Sequence, residues 1–216
     1  MALDLKRLIN SPVDSNCYII FDREVTDECI VVDPGSESNK MLITEINALQ
    51  LKPRYIILTH EHYDHCWGVN DLRAKYKELK LICSRICSDA IQESRANYSH
   101  YLCKPGFSIS PSDIFLEDIN WHFDWNNQQL SFVPAQGHSS AGIFICVGKA
   151  IFTGDTVIKD VETITKFKTG SQKELEKSIK YLESFKGGGY LVYPGHGEPF
   201  FLDDYDLSKA LRIVRN

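Results

Sequence analysis

The chain has 216 residues, of which 43% are hydrophobic and 25% charged, values typical of a soluble globular protein. This composition excludes disorder, collagen and coiled coil as descriptions of the whole chain. Acidic residues outnumber basic ones by 29 to 24, and the net charge of −5 argues against a nucleic-acid binder that depends on phosphate contacts. No apolar run approaches the ~20 residues that a membrane-spanning helix needs. We therefore expect a small-molecule substrate and neither nucleic-acid nor membrane partners, and the oligomeric state stays open.

Short apolar runs separated by turn residues dominate the first third of the chain. The predicted strands here are 16–21, 29–32, 55–59 and 80–83. The predicted helices, from apolar residues at helical spacing, are 38–51, 69–76 and 88–94. Residues 96–111 show no clear period and include Pro105, Gly106 and Pro111, which predicts a long loop or lid.

Strand patterns dominate the rest of the chain. The predicted strands are 122–125, 130–133, 143–147, 150–153 and 190–193. Helices are predicted over 174–185, which is amphipathic, and over 207–214. Because no repeat and no linker interrupts this pattern, we predict a single domain spanning residues 1–216.

The cysteines predict a reducing compartment. There are seven of them, scattered and odd in number, so they form no disulfide-like framework. The N-terminal sequence also lacks the apolar core and small-residue cleavage site of a signal peptide. Both features predict a cytoplasmic protein with free thiols.

The most informative segment directly follows the predicted strand 55–59. Three histidines and an aspartate lie within six residues, as His60, His62, Asp64 and His65. Neutral imidazole nitrogens and carboxylate oxygens are the atoms that zinc and similar metals bind. His60 and His62 point to one side of an extended chain, and a turn after them can bring the other two side chains to the same point. The alternative, a solvated histidine-rich turn, is disfavoured by what lies downstream.

Three further candidate ligands occur at predicted strand ends, each beside glycine. His138 lies in Gln-Gly-His-Ser, Asp155 in Thr-Gly-Asp-Thr and His196 in Pro-Gly-His-Gly. Glycine allows the backbone to turn sharply there and to approach a metal closely. The recurrence of one pattern at three strand ends predicts a metal site assembled from several loops.

Together these segments resemble the metallo-β-lactamase superfamily, whose His-x-His-x-Asp-His motif corresponds to residues 60–65. The resemblance extends to Asn16-Cys17-Tyr18 and Asp33-Pro34-Gly35 and so spans nearly the whole chain. It implies an α/β fold, a four-layer αββα sandwich with metals at one edge between two sheets.

The resemblance also implies a binuclear site with two divalent metal ions, zinc in first place and iron or manganese as alternatives. Three ligands for a first metal, three for a second and one that bridges them are implied: His60, His62 and His138; Asp64, His65 and His196; and Asp155. In such a site a metal-bound hydroxide attacks a carbonyl or phosphorus centre. Asp64 also orients that hydroxide, so Asp64 and Asp155 are the predicted catalytic residues.

The ligand set favours glyoxalase II-like thioesterases, which share the Gly-Asp-Thr and Pro-Gly-His-Gly segments. Asp155 argues against true β-lactamases, which replace or lack the bridging carboxylate, and His62 argues against the flavin-dependent di-iron relatives. The acidic composition gives no support for the tRNA-processing nucleases. Only 20 residues follow His196, so the C-terminal helical domain of glyoxalase II is expected to be lacking. We predict hydrolysis of a thioester or a related small ester.

Several alternatives stay open. A lactonase, a mononuclear-iron persulfide dioxygenase and a phosphodiesterase of the same superfamily have overlapping ligands, whereas a non-catalytic scaffold is disfavoured because no ligand is lost. Two groups of side chains are predicted to contact substrate: Lys166 and Lys168, for an anionic group, and Tyr98, Tyr101 and Phe107, as an apolar wall from residues 96–111. The alternatives are a solvated charged face and a surface excursion far from the metals.

Overall fold

The computed structural model describes residues 3–116 and 121–211. The chain divides into two compact units, the first ending at Leu116 and the second beginning at Glu117. Each unit contains one six-stranded mixed sheet. Within the described residues, no helix is long and apolar enough to cross a bilayer. A single domain over the whole chain stays a prediction.

The first unit builds its sheet in the order of the chain. Its strands are β1 (Asp4–Ile9), β2 (Asn16–Phe21), β3 (Glu28–Val32), β4 (Lys52–Ile57), β5 (Lys80–Ser84) and β6 (Ile114–Leu116). β1, β2 and β3 pair antiparallel, and β4, β5 and β6 are then added in parallel. Every residue of β2 is buried, as expected for a strand covered on both faces.

Residues 3–116 of the first unit contain five α-helices. They are α1 (Lys40–Ala48), α2 (Tyr63–Cys66), α3 (Val69–Lys75), α4 (Arg85–Ile91) and α5 (Ser99–Leu102). α4 begins three residues before its predicted start because Ser84 caps it, accepting a hydrogen bond from the Cys87 N–H at 3.1 Å. α5 lies inside the segment predicted as a loop.

Residues 121–211 of the second unit form seven strands and α-helices, besides two short 3-10 turns. They are β7 (Trp121–Trp125), β8 (Gln128–Pro134), β9 (Ile143–Val147), β10 (Ala150–Gly154), α6 (Gln172–Glu183), β11 (Leu191–Pro194) and β12 (Phe200–Phe201). The sheet order is β12-β11-β10-β9-β8-β7, in which β10 and β11 run parallel and α6 lies between them in the chain. The carboxyl ends of these two neighbouring strands therefore lie at one sheet edge.

The helical prediction for the second unit is correct for α6. Ser171 caps the helix by accepting from the Glu174 N–H at 3.3 Å, and Leu175, Ile179 and Leu182 are buried. The predicted closing helix over 207–214 is different: Leu207–Ala210 forms a 3-10 turn, begun by Asp206, and residues beyond 211 lie outside the described part of the chain.

Candidate metal centre

The loop after β4 gathers four candidate ligands in the first unit. The ring centroids of His60 and His62 are 4.6 Å apart, and those of His60 and His65 are 4.3 Å apart. Ligand atoms lie within 4.8 Å of one another in three pairs: His60 with His62, His60 with His65, and Asp64 with His65. The three imidazoles are buried. This short stretch therefore presents three nitrogens and one carboxylate in one small volume.

One buried carboxylate, that of Asp33 after β3, fixes two of these imidazoles. Its Oδ2 lies 3.0 Å from Nδ1 of His65 and accepts from the Thr59 hydroxyl at 2.6 Å, and its Oδ1 accepts from the Thr59 N–H at 2.8 Å. Because that hydroxyl donates to Asp33, it accepts from Nδ1 of His60, which is 3.0 Å away. Both rings thus carry their proton on Nδ1 and present the lone pair of Nε2, the form that binds a metal.

Hydrogen bonds from the chain before β2 fix the backbone of Asp64. The Ser15 hydroxyl donates to the Asp64 carbonyl at 2.5 Å, and Asn10 Nδ2 donates to Ser15 Oγ at 2.9 Å. Gly35 approaches so closely that a Cβ on it would lie 1.5 Å from the Asp64 carbonyl oxygen. A glycine is therefore required at position 35 for the loop to take this path.

Cys66 follows the four ligands but does not resemble one. Its thiol donates to the Glu61 carbonyl at 3.5 Å. Burial raises the pKa of the Cys66 thiol well above its ordinary value, and the nearby carboxylates of Asp64 and Asp33 raise it further. The neutral thiol packs beneath the loop, in line with a structural role.

Residues 96–111 lie against the same loop. The Tyr98 ring contacts His62 edge-on with centroids 4.9 Å apart, and Phe107 stacks on Trp67 at 5.6 Å. Tyr101 lies one ring further out, 6.4 Å from Tyr98. The segment is therefore no remote surface excursion, and a substrate role for its three aromatic residues stays a prediction.

The second unit brings together the other three candidate ligands. Asp155 Oδ2 lies 3.6 Å from Nε2 of His138 and also 3.6 Å from Nε2 of His196. Two ligands on one tetrahedral zinc are about 3.4 Å apart, given bonds of about 2.0–2.1 Å. The Asp155 carboxylate is thus spaced to share a metal with either imidazole. Gly154, with a φ of 49°, provides the left-handed turn that directs Asp155 there.

His138 is oriented by groups that sequence reasoning missed. Its Nδ1 lies 2.8 Å from the Ile164 carbonyl, and the Phe167 ring meets it edge-on at 5.3 Å. A backbone carbonyl leaves no signal in a sequence, so only the structure identifies it. Lys166 and Lys168 flank Phe167 and are exposed, and their contact with substrate stays a prediction.

Two mixed sheets flanked by helices, with histidine and aspartate side chains clustered at strand ends, define an α/β protein with metal-binding chemistry. The chain belongs to the metallo-β-lactamase superfamily: the family model with that description matches residues 10–196. This confirms the family that the sequence motifs predicted.

Named relatives agree with this assignment. The probable polyketide biosynthesis zinc-dependent hydrolase PksB of Bacillus subtilis (strain 168) is 28% identical over 83% of this chain and 72% of its own length. A hydroxyacylglutathione hydrolase of Serratia proteamaculans (strain 568) is 28% identical over 69% of this chain and 51% of its own length. The solved structure of the B3 metallo-β-lactamase BLEG-1 has a TM-score of 0.83 at 24% identity, covering 92% of this chain and 94% of that one. The predicted fold class is confirmed, and the chain is a superfamily hydrolase.

Proposed function

We propose that this protein is a metal-dependent hydrolase that cleaves a thioester or a related small ester. The observation that carries the proposal is the position of Asp155, whose carboxylate oxygen is equally close to the imidazoles of His138 and His196. A carboxylate in that place suits a bridge between two metals. Hydroxyacylglutathione, which gives one relative its name, is itself a thioester.

The donor set fits divalent metals. The proposed ligands are His60, His62 and His138 for one metal, Asp64, His65 and His196 for the other, and Asp155 as the bridge. In three of the histidines (His60, His65 and His138) Nδ1 lies within hydrogen-bond distance of a protein oxygen, which directs Nε2 toward a metal. Nitrogen and carboxylate oxygen suit zinc, with iron and manganese as alternatives.

The reaction divides between the metals and the protein. When bound, two divalent metals supply an activated water at neutral pH and polarise the carbonyl under attack. Asp64, whose Oδ2 lies 3.7 Å from Nε2 of His65, would accept a hydrogen bond from that water and orient it. Attack on a thioester breaks the carbon–sulfur bond and gives a carboxylate and a thiol. Because a thiol has a pKa of about 8.5, it leaves as thiolate without a separate acid.

The test is a substrate panel with protein reconstituted with zinc, iron or manganese. The panel contains a thioester, a lactone, a phosphodiester, a β-lactam and a persulfide, the last followed by oxygen consumption. We expect the thioester to have the highest kcat/KM and a chelator to abolish its hydrolysis. Fastest turnover of another substrate, or oxygen consumption with the persulfide, would assign a different branch of the family.

Variants tie the activity to the proposed ligands. His60→Ala and His138→Ala should each lose bound metal and thioester hydrolysis together, because each removes a metal–nitrogen bond. The matched control is His122→Ala on β7, an exposed histidine whose Nδ1 lies 3.0 Å from Ser131 Oγ. It should keep both. Hydrolysis that persists in metal-free protein would refute the proposal.

A further inference from the structure

An apolar surface leads outward from a proposed metal ligand. Tyr98 directly precedes α5 in a left-handed conformation, and Tyr101 and Leu102 are the last two residues of that single turn. The Tyr98 ring contacts His62, and Tyr101 lies against Tyr98. Tyr101 is 63% exposed and Leu102 64% exposed. Two large apolar side chains thus stand in solvent beside the candidate metal loop.

This surface is held in place by hydrogen bonds, which we call the 97–107 clamp. Nδ2 of the buried Asn97 donates to the Phe107 carbonyl at 3.0 Å and to the Ile91 carbonyl at 3.3 Å. Ser99 Oγ accepts from the Phe107 N–H at 2.9 Å, and the Ser99 N–H donates to Asn97 Oδ1 at 2.9 Å. The clamp also holds Tyr98 in a left-handed conformation with a φ of 65°. A residue other than glycine that is kept in this backbone conformation points to a functional constraint.

The segment that carries this surface presents apolar side chains and contributes no carboxylate. The sequence contains no aspartate or glutamate from Ser94 to Ser112. Single exposed apolar residues are ordinary, but adjacent ones joined to a candidate site indicate binding. The second unit shows a similar feature, since Ile164, whose carbonyl orients His138, is 54% exposed and Phe167 contacts the same imidazole.

We infer that the acyl group of the substrate is an apolar chain or ring and that it lies along Tyr98, Tyr101 and Leu102. This inference rests on the proposed hydrolase function and adds the substrate class. The acyl group is the chosen occupant because the surface begins at a metal ligand, where the carbonyl of a substrate must be. A wall held by the clamp is preorganised, so binding an acyl group loses little conformational freedom.

The first measurement is binding and needs no catalysis. S-alkyl thioethers of N-acetylcysteamine, from ethyl to octyl, resemble the thioester but cannot be hydrolysed. For the metal-loaded protein we expect the association constant to rise about two- to fourfold per added methylene, as burial of apolar surface predicts. The double variant Tyr101→Ser/Leu102→Ser should flatten this dependence on chain length.

The control is Met41→Ser on α1, which removes an apolar side chain that is 67% exposed. It should keep the wild-type dependence. The second measurement is kcat/KM for acyl thioesters of the same chain lengths, whose slope should fall in the double variant as the binding slope does. Parallel losses in both measurements support the inference.

Three outcomes overturn the inference, and a fourth separates it from the proposed function. The inference is wrong if the association constant does not rise with alkyl chain length in the wild type, or if it rises as steeply in the double variant. A flat slope together with self-association that the double variant abolishes assigns the surface to a second copy and also overturns it. Thioether binding with the expected slope but no ester or thioester turnover supports the wall and refutes the hydrolase.

Discussion

Asp33 Oδ2 lies 3.0 Å from Nδ1 of His65, and the same carboxylate reaches His60 through the hydroxyl of Thr59. A single buried acid therefore sets the tautomer of two proposed ligands. Asp33 has a φ of 51°, a conformation that is costly for a residue with a Cβ. Its hydrogen bonds offset that cost.

Asp33→Ala should weaken metal binding about 10- to 100-fold, because groups that orient metal ligands have effects of that size. It should also destabilise the fold by about 1–3 kcal/mol, since the buried Thr59 N–H loses its acceptor. Metal affinity by competition with a chelator and unfolding in urea measure the two effects. Asp22→Ala is the control: it removes another buried acid, which accepts from the Glu24 N–H at 3.1 Å, and it should lower stability alone. Equal metal affinities in the two variants would contradict the role of Asp33.

Gly35→Ala should prevent the loop that holds the candidate ligands, residues 60–65, from taking its observed path. The new Cβ would lie 1.5 Å from the Asp64 carbonyl oxygen, a backbone atom that cannot move independently. We expect a loss of stability of more than about 3 kcal/mol, or failure to fold, as for severe overpacking. Gly148→Ala is the comparison, with a φ of 54° and nothing within 4 Å of the added Cβ. It should cost only about 1–2 kcal/mol from its left-handed backbone. Urea unfolding of both variants measures these losses. A loss at position 35 no larger than at position 148 would contradict the close approach of Gly35 to Asp64.

Asp155→Asn should reduce the metal content of the reconstituted protein from the proposed two equivalents toward one while leaving the protein folded. The amide keeps the shape of the carboxylate but lacks the negative charge that favours two cations beside one side chain. Elemental analysis after dialysis measures the ratio. Asp160→Asn serves as control, because that exposed carboxylate pairs with Lys209 at 2.7 Å, and it should retain the wild-type ratio. An unchanged ratio of metal to protein in Asp155→Asn would refute the bridging role of Asp155.

Stability should fall at alkaline pH because of buried thiols. Burial raises the pKa of Cys29 to about 12 and that of Cys146 to about 12, whereas an unfolded cysteine has a pKa of about 8.5. Because the pKa of each thiol is higher in the folded protein, the contribution of the thiols to the free energy of unfolding is complete below pH ~8.5. It is lost as the pH rises toward 12. The free energy of unfolding in urea should therefore be lower at pH 10 than at pH 7.5.

The variant Cys29→Ala/Cys146→Ala tests the cause of that fall. Alanine has no proton to lose, so the difference between pH 7.5 and pH 10 should shrink by up to about 4 kcal/mol, about 2 for each thiol. A pH dependence equal to that of the wild type would assign the effect to other groups.

The candidate site could be predicted further than the fold details around it. His60 and its three neighbours share one loop, so their sequence spacing alone brings them near each other. β1 could not be predicted, because three of its six residues, Asp4, Lys6 and Arg7, are charged, and only pairing with β2 makes it a strand. β6, with three residues, is too short to show a period.

Hydrogen bonds between residues distant in sequence explain why α5 was not predicted. A turn of helix within residues 96–111 has no local signal, because α5 is fixed by Asn97 and Ser99 through the backbone of Phe107. Such contacts join residues eight to ten positions apart and depend on side-chain geometry that no periodicity encodes. The role of Asp33 was marked in the sequence only by its place at a strand end before Pro34 and Gly35.

The 97–107 clamp has a consequence for how this protein can change. Its two polar side chains, Asn97 and Ser99, bind the main chain of Phe107, so these hydrogen bonds do not use the exposed side chains of Tyr101 and Leu102. Substitutions there alter the surface beside His62 without releasing the segment from the metal loop. Substrate choice and metal retention can therefore be inherited separately, and exchange of residues 101 and 102 is a direct route by which selection, natural or in the laboratory, can redirect the enzyme.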